Sequence, residues 1–334
     1  MDNLGMLRGE QWIEISEGFD YISATKDFIG LKLFPMFRTD NMKLAVASLL
    51  EGAKVPVMAV VHALDAEAQI ADRPDFKEMR YELLLVKRKL NQGEALRKKI
   101  RDLGMSSEDR AVIEAVYNDA ANLIAQVITR FEVMADEALC TGKLTIDEND
   151  VDVTVDYGLD DKHRLVVSSW SSAAHDILGD LVKIQNVAKG KIVRALVPDK
   201  VMSYLTGNSK INSIAAVMGE YVTEAFVKNY IASKFGIELV KVGGTYKLNH
   251  QSSTEYNFFD EDTIVFLTTD GTLGYTYMTS TPEEDLGIAT ATTGFVTVSQ
   301  NITWDPATLW TKASAVGFPA FRDINQLYIC KVSS

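Results

Sequence analysis

The sequence has few cysteines and no long apolar run. Two cysteines, Cys140 and Cys330, occur among 334 residues, which is too few for a disulfide framework and fits a reducing cytoplasm. No run of about 18 apolar residues is present, and the first residues, MDNLGMLRGE, lack the apolar stretch of a secretory signal. We therefore expect a soluble protein that is made in the cytoplasm.

Basic residues are also in the minority, with 34 Lys and Arg against 46 Asp and Glu and a net charge of −12. A surface of that sign disfavours nonspecific binding to nucleic acid or to anionic membranes. Residues 73–101, which we call the basic strip, are the exception, because ten Lys and Arg against four Asp and Glu give them a charge of +6. The strip is either a solvated face or a segment that docks on an acidic surface, including that of another copy.

Groups suited to catalysis are sparse as well. No P-loop and no dinucleotide-binding fingerprint is present, and Gly243-Gly244 is typical of a hairpin turn. The histidines show no metal-ligand spacing with one another or with cysteine; they are His62, His163, His175 and His250. We expect no catalytic residue, no cofactor and no metal site, and hence no enzyme.

Two stretches leave an alternative open. SSWSSAAHD, residues 168–176, offers Ser, His and Asp, but a catalytic triad is assembled from separated segments, so we favour a structural role. The acids of TPEEDLG, which are Glu283, Glu284 and Asp285, could hold a cation, but we favour a solvated acidic loop.

The most regular pattern predicts one long helix over residues 106–141. Ser106 followed by Asp109 is an N-cap signature, and Gly142 is the usual residue past a helix end. An apolar row predicts one face packed on one partner layer; it comprises Ile113, Val116, Ala120, Ile124, Val127, Phe131, Met134 and Ala138. Such a helix is roughly 50 Å long, about the diameter of a compact globule of this chain length. Either the molecule is therefore elongated, or the helix is the central support of a flat molecule, and we call it the spine.

The flanking segments predict an α+β protein. Residues 41–90 are typical of an extended ribbon in which KEMRYELLL alternates, and one face comprises Met79, Tyr81, Leu83 and Leu85. The ribbon lacks a helix to cover it, so we expect it to need a partner surface. Beyond the spine we predict a hairpin of KLTI with VDVTVDY, then helices over residues 173–188, 199–204 and 221–235 on a small sheet, then a β-rich C-terminal third.

This order of parts resembles the major capsid proteins of tailed bacteriophages, in the lambda-type capsid protein E family. FKEMRYELLLVKRKL, followed by GEALRKKIRD, is similar to that family's strand approaching the spine, and RFEVMADEALCTGKLTI resembles its helix end. Trp170 with SSAAHDILGDLVKI resembles the start of the insertion domain, and ALVPDKVMSYL its first strand and helix. LGYTYMTSTPEE, WDPATLWTKASAVGFPAF and QLYICKV resemble the return strands. The resemblance covers about residues 30–334.

The resemblance implies the HK97-like phage capsid fold. Its parts would be an N-terminal arm (1–40), an extended β ribbon of the E loop and P-domain strands (41–90), a P domain with the spine helix (91–165), an A domain (166–262) and a β-rich return through the A domain into the P domain (263–334). The ribbon would then lie across a neighbouring copy. The basic strip would supply contacts between subunits, and our candidates are Lys87, Arg88, Lys89, Lys98, Lys99 and Arg101.

The function that the resemblance implies is self-assembly into hexamers and pentamers of an icosahedral head that encloses double-stranded phage DNA. A shell is thin and wide, which would explain why the spine is long. Beyond copies of itself, the expected partners are a separate scaffolding protein and a portal, with or without a decoration protein. DNA is enclosed without sequence-specific binding, and no membrane is involved. The location would be the virion, after assembly in the host bacterial cytoplasm. The alternative is an encapsulin-like compartment built on the same fold.

Overall fold

The computed structural model describes residues 28–49, 76–92, 109–149, 151–167, 169–249, 251–288, 291–304 and 307–333. The helices in these ranges are α1 (Ile29–Leu33), α2 (Asp109–Thr141), α3 (Ile177–Val187), α4 (Asp199–Gly207), α5 (Ser209–Met218), α6 (Glu224–Phe235) and α7 (Pro282–Asp285). The strands are β1 (Met36–Arg38), β2 (Lys43–Leu49), β3 (Phe76–Glu82), β4 (Leu84–Gln92), β5 (Lys143–Glu148), β6 (Val151–Asp156), β7 (Arg164–Val166), β8 (Arg194–Pro198), β9 (Glu238–Val242), β10 (Thr245–Tyr246), β11 (Tyr256–Asn257), β12 (Thr263–Leu267), β13 (Gly274–Thr279), β14 (Ala291–Thr293), β15 (Val296–Trp304), β16 (Ala307–Phe321) and β17 (Leu327–Lys331). The protein is α+β, as predicted.

The spine is helix α2, whose 33 residues extend about 50 Å. It ends where predicted, because Gly142 takes a positive φ of 67° and its N–H donates to the carbonyl of Ala138 at 2.9 Å. The predicted start at Ser106 lies outside the described residues. The described part of the predicted apolar row is buried; it comprises Ala120, Ile124, Val127, Phe131, Met134 and Ala138.

The prediction that only one face of the spine is covered is wrong in its C-terminal half. A second row is also buried on one side of the predicted row, made of Ile128, Ala135 and Leu139, and Leu123 is buried on the other side. The reason is that strand β16 packs on the helix and that α1 and β12 pack on it as well. The spine is therefore enclosed by its own chain over this half.

The large sheet contains six strands in the described part of the chain and is organised around β16, the longest of the described strands. Strand β4 pairs antiparallel with β16 over residues 309–317, and β15 pairs with it over residues 307–314. Beyond the end of β15, strand β13 pairs with β16 over residues 316–321 of β16. Strand β13 pairs in turn with the short parallel strand β1. One strand of 15 residues thus joins the ribbon, the C-terminal hairpin and the segment after α1 in a single sheet.

The small sheet has the order β7-β17-β12-β8-β9, and its three central strands, β17, β12 and β8, are buried on both faces. Side chains of β12 and β17 alternate between two hydrophobic cores, as the period of a strand requires. Val265, Leu267, Leu327 and Ile329 join the core around the spine. Ile264, Phe266, Tyr328 and Cys330 join a second core with helices α3 to α6. The two cores therefore share one sheet as their common wall.

The ribbon is partly covered by its own chain, contrary to the expectation from its sequence. Strands β2 and β3 form an antiparallel pair, but β4 belongs to the large sheet. Leu83 interrupts the strand between β3 and β4, and its N–H donates to the carbonyl of Met42 at 3.1 Å. Tyr81 and Leu83 are buried, whereas Leu85 is 42% exposed. The prediction that Leu85 shares the buried face of Tyr81 and Leu83 is wrong, because the interruption at Leu83 shifts the inward–outward alternation of side chains by one residue. Residues 50–75 of the ribbon lie outside the described part of the chain.

No helix in the described ranges is long and apolar enough to cross a membrane.

Candidate intersubunit surface

Three of the six predicted contact residues lie on β4, at one edge of β16. Lys87 pairs in register with Ser314 and Lys89 with Lys312, and paired residues share a face of the sheet. Arg88 lies on the opposite face, where it lines a cavity of about 300 Å³ beside Gln126 of the spine. The other three predicted residues, Lys98, Lys99 and Arg101, lie outside the described part of the chain.

The structure gives two of the three described residues contacts within the chain. Arg88 donates from Nη1 to the carbonyl of Leu248 at 3.1 Å. The Nζ of Lys89 lies 4.5 Å from the ring centroid of Trp310, a cation–π geometry. Lys87 is exposed, so its charge faces solvent in the single chain.

The TPEEDLG stretch is not a solvated acidic loop. It forms helix α7, which Thr281 caps by accepting the N–H of Glu284 at 3.3 Å. Glu283 is 6% exposed, contacts Lys312 and accepts the hydroxyl of Ser314 at 2.8 Å. Burial acts to raise the pKa of Glu283, but the hydrogen bonds from Lys312 and Ser314 outweigh it and leave the pKa below its usual range. The favoured interpretation was wrong, because strand β16 supplies partners that lie about 30 residues away.

The SSWSSAAHD stretch supports the second core rather than a reaction. The Nε2 of His175 lies 2.6 Å from Oδ2 of Asp180, which also accepts Trp170 Nε1–H at 3.1 Å. Asp176 caps α3 by accepting the N–H of Gly179 and pairs with Lys210. Among the described residues, the His175 ring forms no hydrogen bond with a serine hydroxyl; its partner is Asp180. The partner of His175, Asp180, was not singled out in the sequence.

A groove of about 420 Å³ runs beside the C-terminal end of the spine. Its acidic lining comes from the spine and from the loop before β12, and comprises Asp136, Glu137, Asp260, Glu261 and Asp262. Cys140 also lines it, but burial raises the pKa of that thiol well above its usual range, so it is not a thiolate nucleophile. Within the described ranges, no group of three His, Cys, Asp or Glu side chains is arranged to hold a metal ion.

Two buried carboxyl groups of the spine were missed by the sequence analysis. Glu132 accepts the backbone N–H groups of Gly30 and Leu31, both at 2.8 Å. Asp136, one turn further along, is also buried. A signal was present, because Glu132 continues the second apolar row after Ile128 at helical spacing.

Large apolar side chains are exposed around the end of α5. Val217 is 89% exposed and Tyr221 is 91% exposed, and Met218 between them is 59% exposed. These exposed apolar groups are a candidate surface for contact with another molecule.

Comparisons with known proteins agree with this architecture. The sequence model of the family described as phage major capsid protein E matches residues 20–332. A protein of an Escherichia coli CFT073 prophage, described as its capsid protein, superimposes with a TM-score of 0.64 at 15% identity, over 98% of this chain and 99% of its own. A phage-related protein from Bordetella bronchiseptica RB50 gives a TM-score of 0.57 at 13% identity, over 95% and 94% of the two chains. No curated protein matches the chain. The fold is the HK97-like phage capsid fold that the resemblance implied.

Proposed function

We propose that this chain, which belongs to the phage major capsid protein E family, assembles with copies of itself into hexamers and pentamers that close as an icosahedral shell around double-stranded DNA. It is a structural protein of the phage capsid and of the virion, and not an enzyme. The observation that carries the proposal is the family match, which runs over residues 20–332 and so takes in the spine, both sheets and the second core.

The parts of the subunit follow from this assignment. The P domain comprises α2 and the large sheet, and the A domain comprises α3 to α6 with the sheet they cover. The ribbon of residues 41–90 provides the E loop and, through β4, a strand of the P domain, and residues 1–40 provide the arm. The boundaries at residues 90, 165 and 262 remain predictions from the sequence; the first falls within β4 and the second within β7. A spine of about 50 Å stiffens the subunit along the shell.

The contacts between subunits are heterologous, because identical chains that form rings must present two different surfaces to their neighbours. The basic strip supplies one of them and docks on acidic surface of the next copy. Since Arg88 and Lys89 already contact their own chain, Lys87, Lys98, Lys99 and Arg101 carry most of this interaction. Each exposed charge pair contributes at most about 1 kcal/mol, but a subunit held by several neighbours at once is held firmly.

The exposed apolar side chains at the end of α5 support self-association, because contact with a second copy would remove them from water. Val217 and Tyr221 are almost fully exposed in the single chain. The net charge of −12 suits a container, since an acidic wall repels packed DNA and lets it move. The further partners we propose are a separate scaffolding protein and a portal, with or without a decoration protein, and we propose assembly in the host bacterial cytoplasm.

Size-exclusion chromatography followed by negative-stain electron microscopy of the purified full-length chain tests the proposal. We expect closed particles, or rings of five and six copies. A monomer that persists at high concentration would refute it.

The contents of particles purified from infected cells decide between two kinds of shell. Nuclease-protected DNA supports the phage head, whereas enzyme cargo without DNA would favour an encapsulin-like compartment. A strongly basic inner surface in a reconstructed shell would refute the proposal that an acidic wall repels the packed DNA and lets it move.

A further inference from the structure

We propose that Glu132 and Asp136 hold one proton between them, and that this proton fastens residues 28–34 to the spine helix. Loss of the proton would release the segment. The pair would thus make the attachment of the N-terminal part of the chain sensitive to pH.

The geometry places both carboxyl groups directly under the segment. Glu132 and Asp136 are each 1% exposed, and their spacing of four residues puts them on one face of the helix. Both carboxylate oxygens of Glu132 are used, one by the N–H of Gly30 and one by the N–H of Leu31. These two bonds join elements that are about 100 residues apart in the sequence.

Gly30 shows how closely the segment is pressed against the pair. A Cβ atom at this position would lie 2.7 Å from Cβ of Ala135 and 2.9 Å from Oδ1 of Asp136. On the side that faces Gly30 there is therefore no room for a water shell around a second negative charge. In the described ranges, that Oδ1 atom has no hydrogen-bond partner, so nothing offsets a charge on it.

The surroundings supply no compensating base. On α1 the one charged residue is Lys32, which is exposed. The titratable groups around the groove beside Asp136 are acids, a thiol and a phenol, namely Glu137, Cys140, Tyr246, Asp260, Glu261 and Asp262. Among the described residues, neither Glu132 nor Asp136 forms an ion pair with Lys or Arg. Two adjacent buried carboxylates without a cation are strongly disfavoured, so one of the two keeps its proton.

The direction of the pH effect follows from this arrangement. Burial raises the pKa of Asp136 well above its usual range, and the neighbouring Glu132 raises it further. Burial also raises the pKa of Glu132, against the lowering effect of the N–H groups it accepts. The folded pair binds more protons than the unfolded chain, in which carboxyl groups titrate near pH 4. The contact is therefore strongest at low pH and is lost as the pH rises through the raised pKa of the pair.

Hydrogen–deuterium exchange of the full-length chain, followed by mass spectrometry between pH 5 and pH 9, tests the proposal. After correction for the intrinsic exchange rate, opening of residues 28–34 should increase by up to about tenfold per pH unit, the slope for one proton. Asp136→Asn should flatten this profile and increase protection at high pH, because the amide cannot ionise. Glu132→Gln should weaken protection of the segment at every pH, because one oxygen acceptor is lost.

Asp152→Asn is the matched control, since it removes one negative charge from an exposed position on β6 and should keep the wild-type slope. A flat profile in the unaltered chain would overturn the proposal, whatever the variants do. So would equal slopes for the unaltered chain and Asp136→Asn, or a flattened profile in Asp152→Asn. Parallel loss of protection in peptides from residues 124–140 would also refute it, because the opening would then not be confined to the segment.

Discussion

Replacing Phe131 by alanine tests whether the spine helix is held by its apolar rows. Phe131 is completely buried in the core that the helix shares with the large sheet. Removing such a ring costs about 3–5 kcal/mol, the lost transfer free energy plus the cavity left behind. Unfolding entropy is about 2.1 cal/mol/K per residue, which for 334 residues is roughly 0.7 kcal/mol/K. The melting temperature of Phe131→Ala should therefore fall by about 4–7 °C.

The assay is thermal unfolding of unassembled subunits, monitored by circular dichroism, because assembly would stabilise the chain by mass action. Asn122→Ala is the matched control, since Asn122 is exposed on the same helix; its effect should stay within about 0.5 kcal/mol. If Phe131→Ala cost less than about 1 kcal/mol, the burial of the spine described above would be wrong. An equal loss in Asn122→Ala would show instead that helix α2 tolerates no substitution.

Three further predictions test the sheets and the assembly contacts. Gly274→Ala should abolish folding, because the added Cβ would overlap the carbonyl oxygen of Ala320 on β16. Gly271→Ala is the control and should fold, because no atom outside the adjacent residues lies nearer than 3.6 Å to the position of its Cβ. The soluble yields of the two variants test this prediction. Tyr157→Phe should lose about 1–3 kcal/mol, because the buried hydroxyl donates to the carbonyl of Pro319 at 2.6 Å; Tyr221→Phe, at an exposed position, should be neutral in the same denaturation assay. A charge-reversal variant should fail to form shells without a change in its circular dichroism spectrum; it replaces Lys87, Lys98, Lys99 and Arg101 by Glu. Normal shells of this variant in electron micrographs would contradict the docking of the basic strip.

Much of the secondary structure could be predicted because its causes are local. The spine helix ends at Gly142 as expected, and the hairpin of β5 and β6 forms where KLTI and VDVTVDY alternate. Helix α3 begins at Ile177 rather than at residue 173, because Asp176 caps it. Helix α5 was missed, although a cap signal was present: the side chain of Asn208 accepts the N–H groups of Lys210 and Ile211.

The errors concern residues whose surroundings come from distant parts of the chain. The alternation of apolar and polar residues predicts that Leu85 is a core residue, but it is exposed, because Leu83 donates its N–H to Met42 and interrupts the strand. Glu283 reads as a solvated acid but is buried, because β16 brings Lys312 and Ser314 to it. Burial of this kind depends on which elements meet, and the order of residues within either element does not contain that information.

The sequence by itself determined the helices and strands with clear periods, the uneven distribution of charge and the scarcity of groups suited to catalysis. Side-chain period, capping residues and charge are properties of neighbouring residues, so they can be obtained from a few positions at a time. Only the tertiary structure decided that β12 and β17 serve two cores, that β4 belongs to the large sheet, and that Glu132 binds the backbone at Gly30. These contacts join residues tens to hundreds of positions apart, and their free energy exists only once the chain has closed the loops between them.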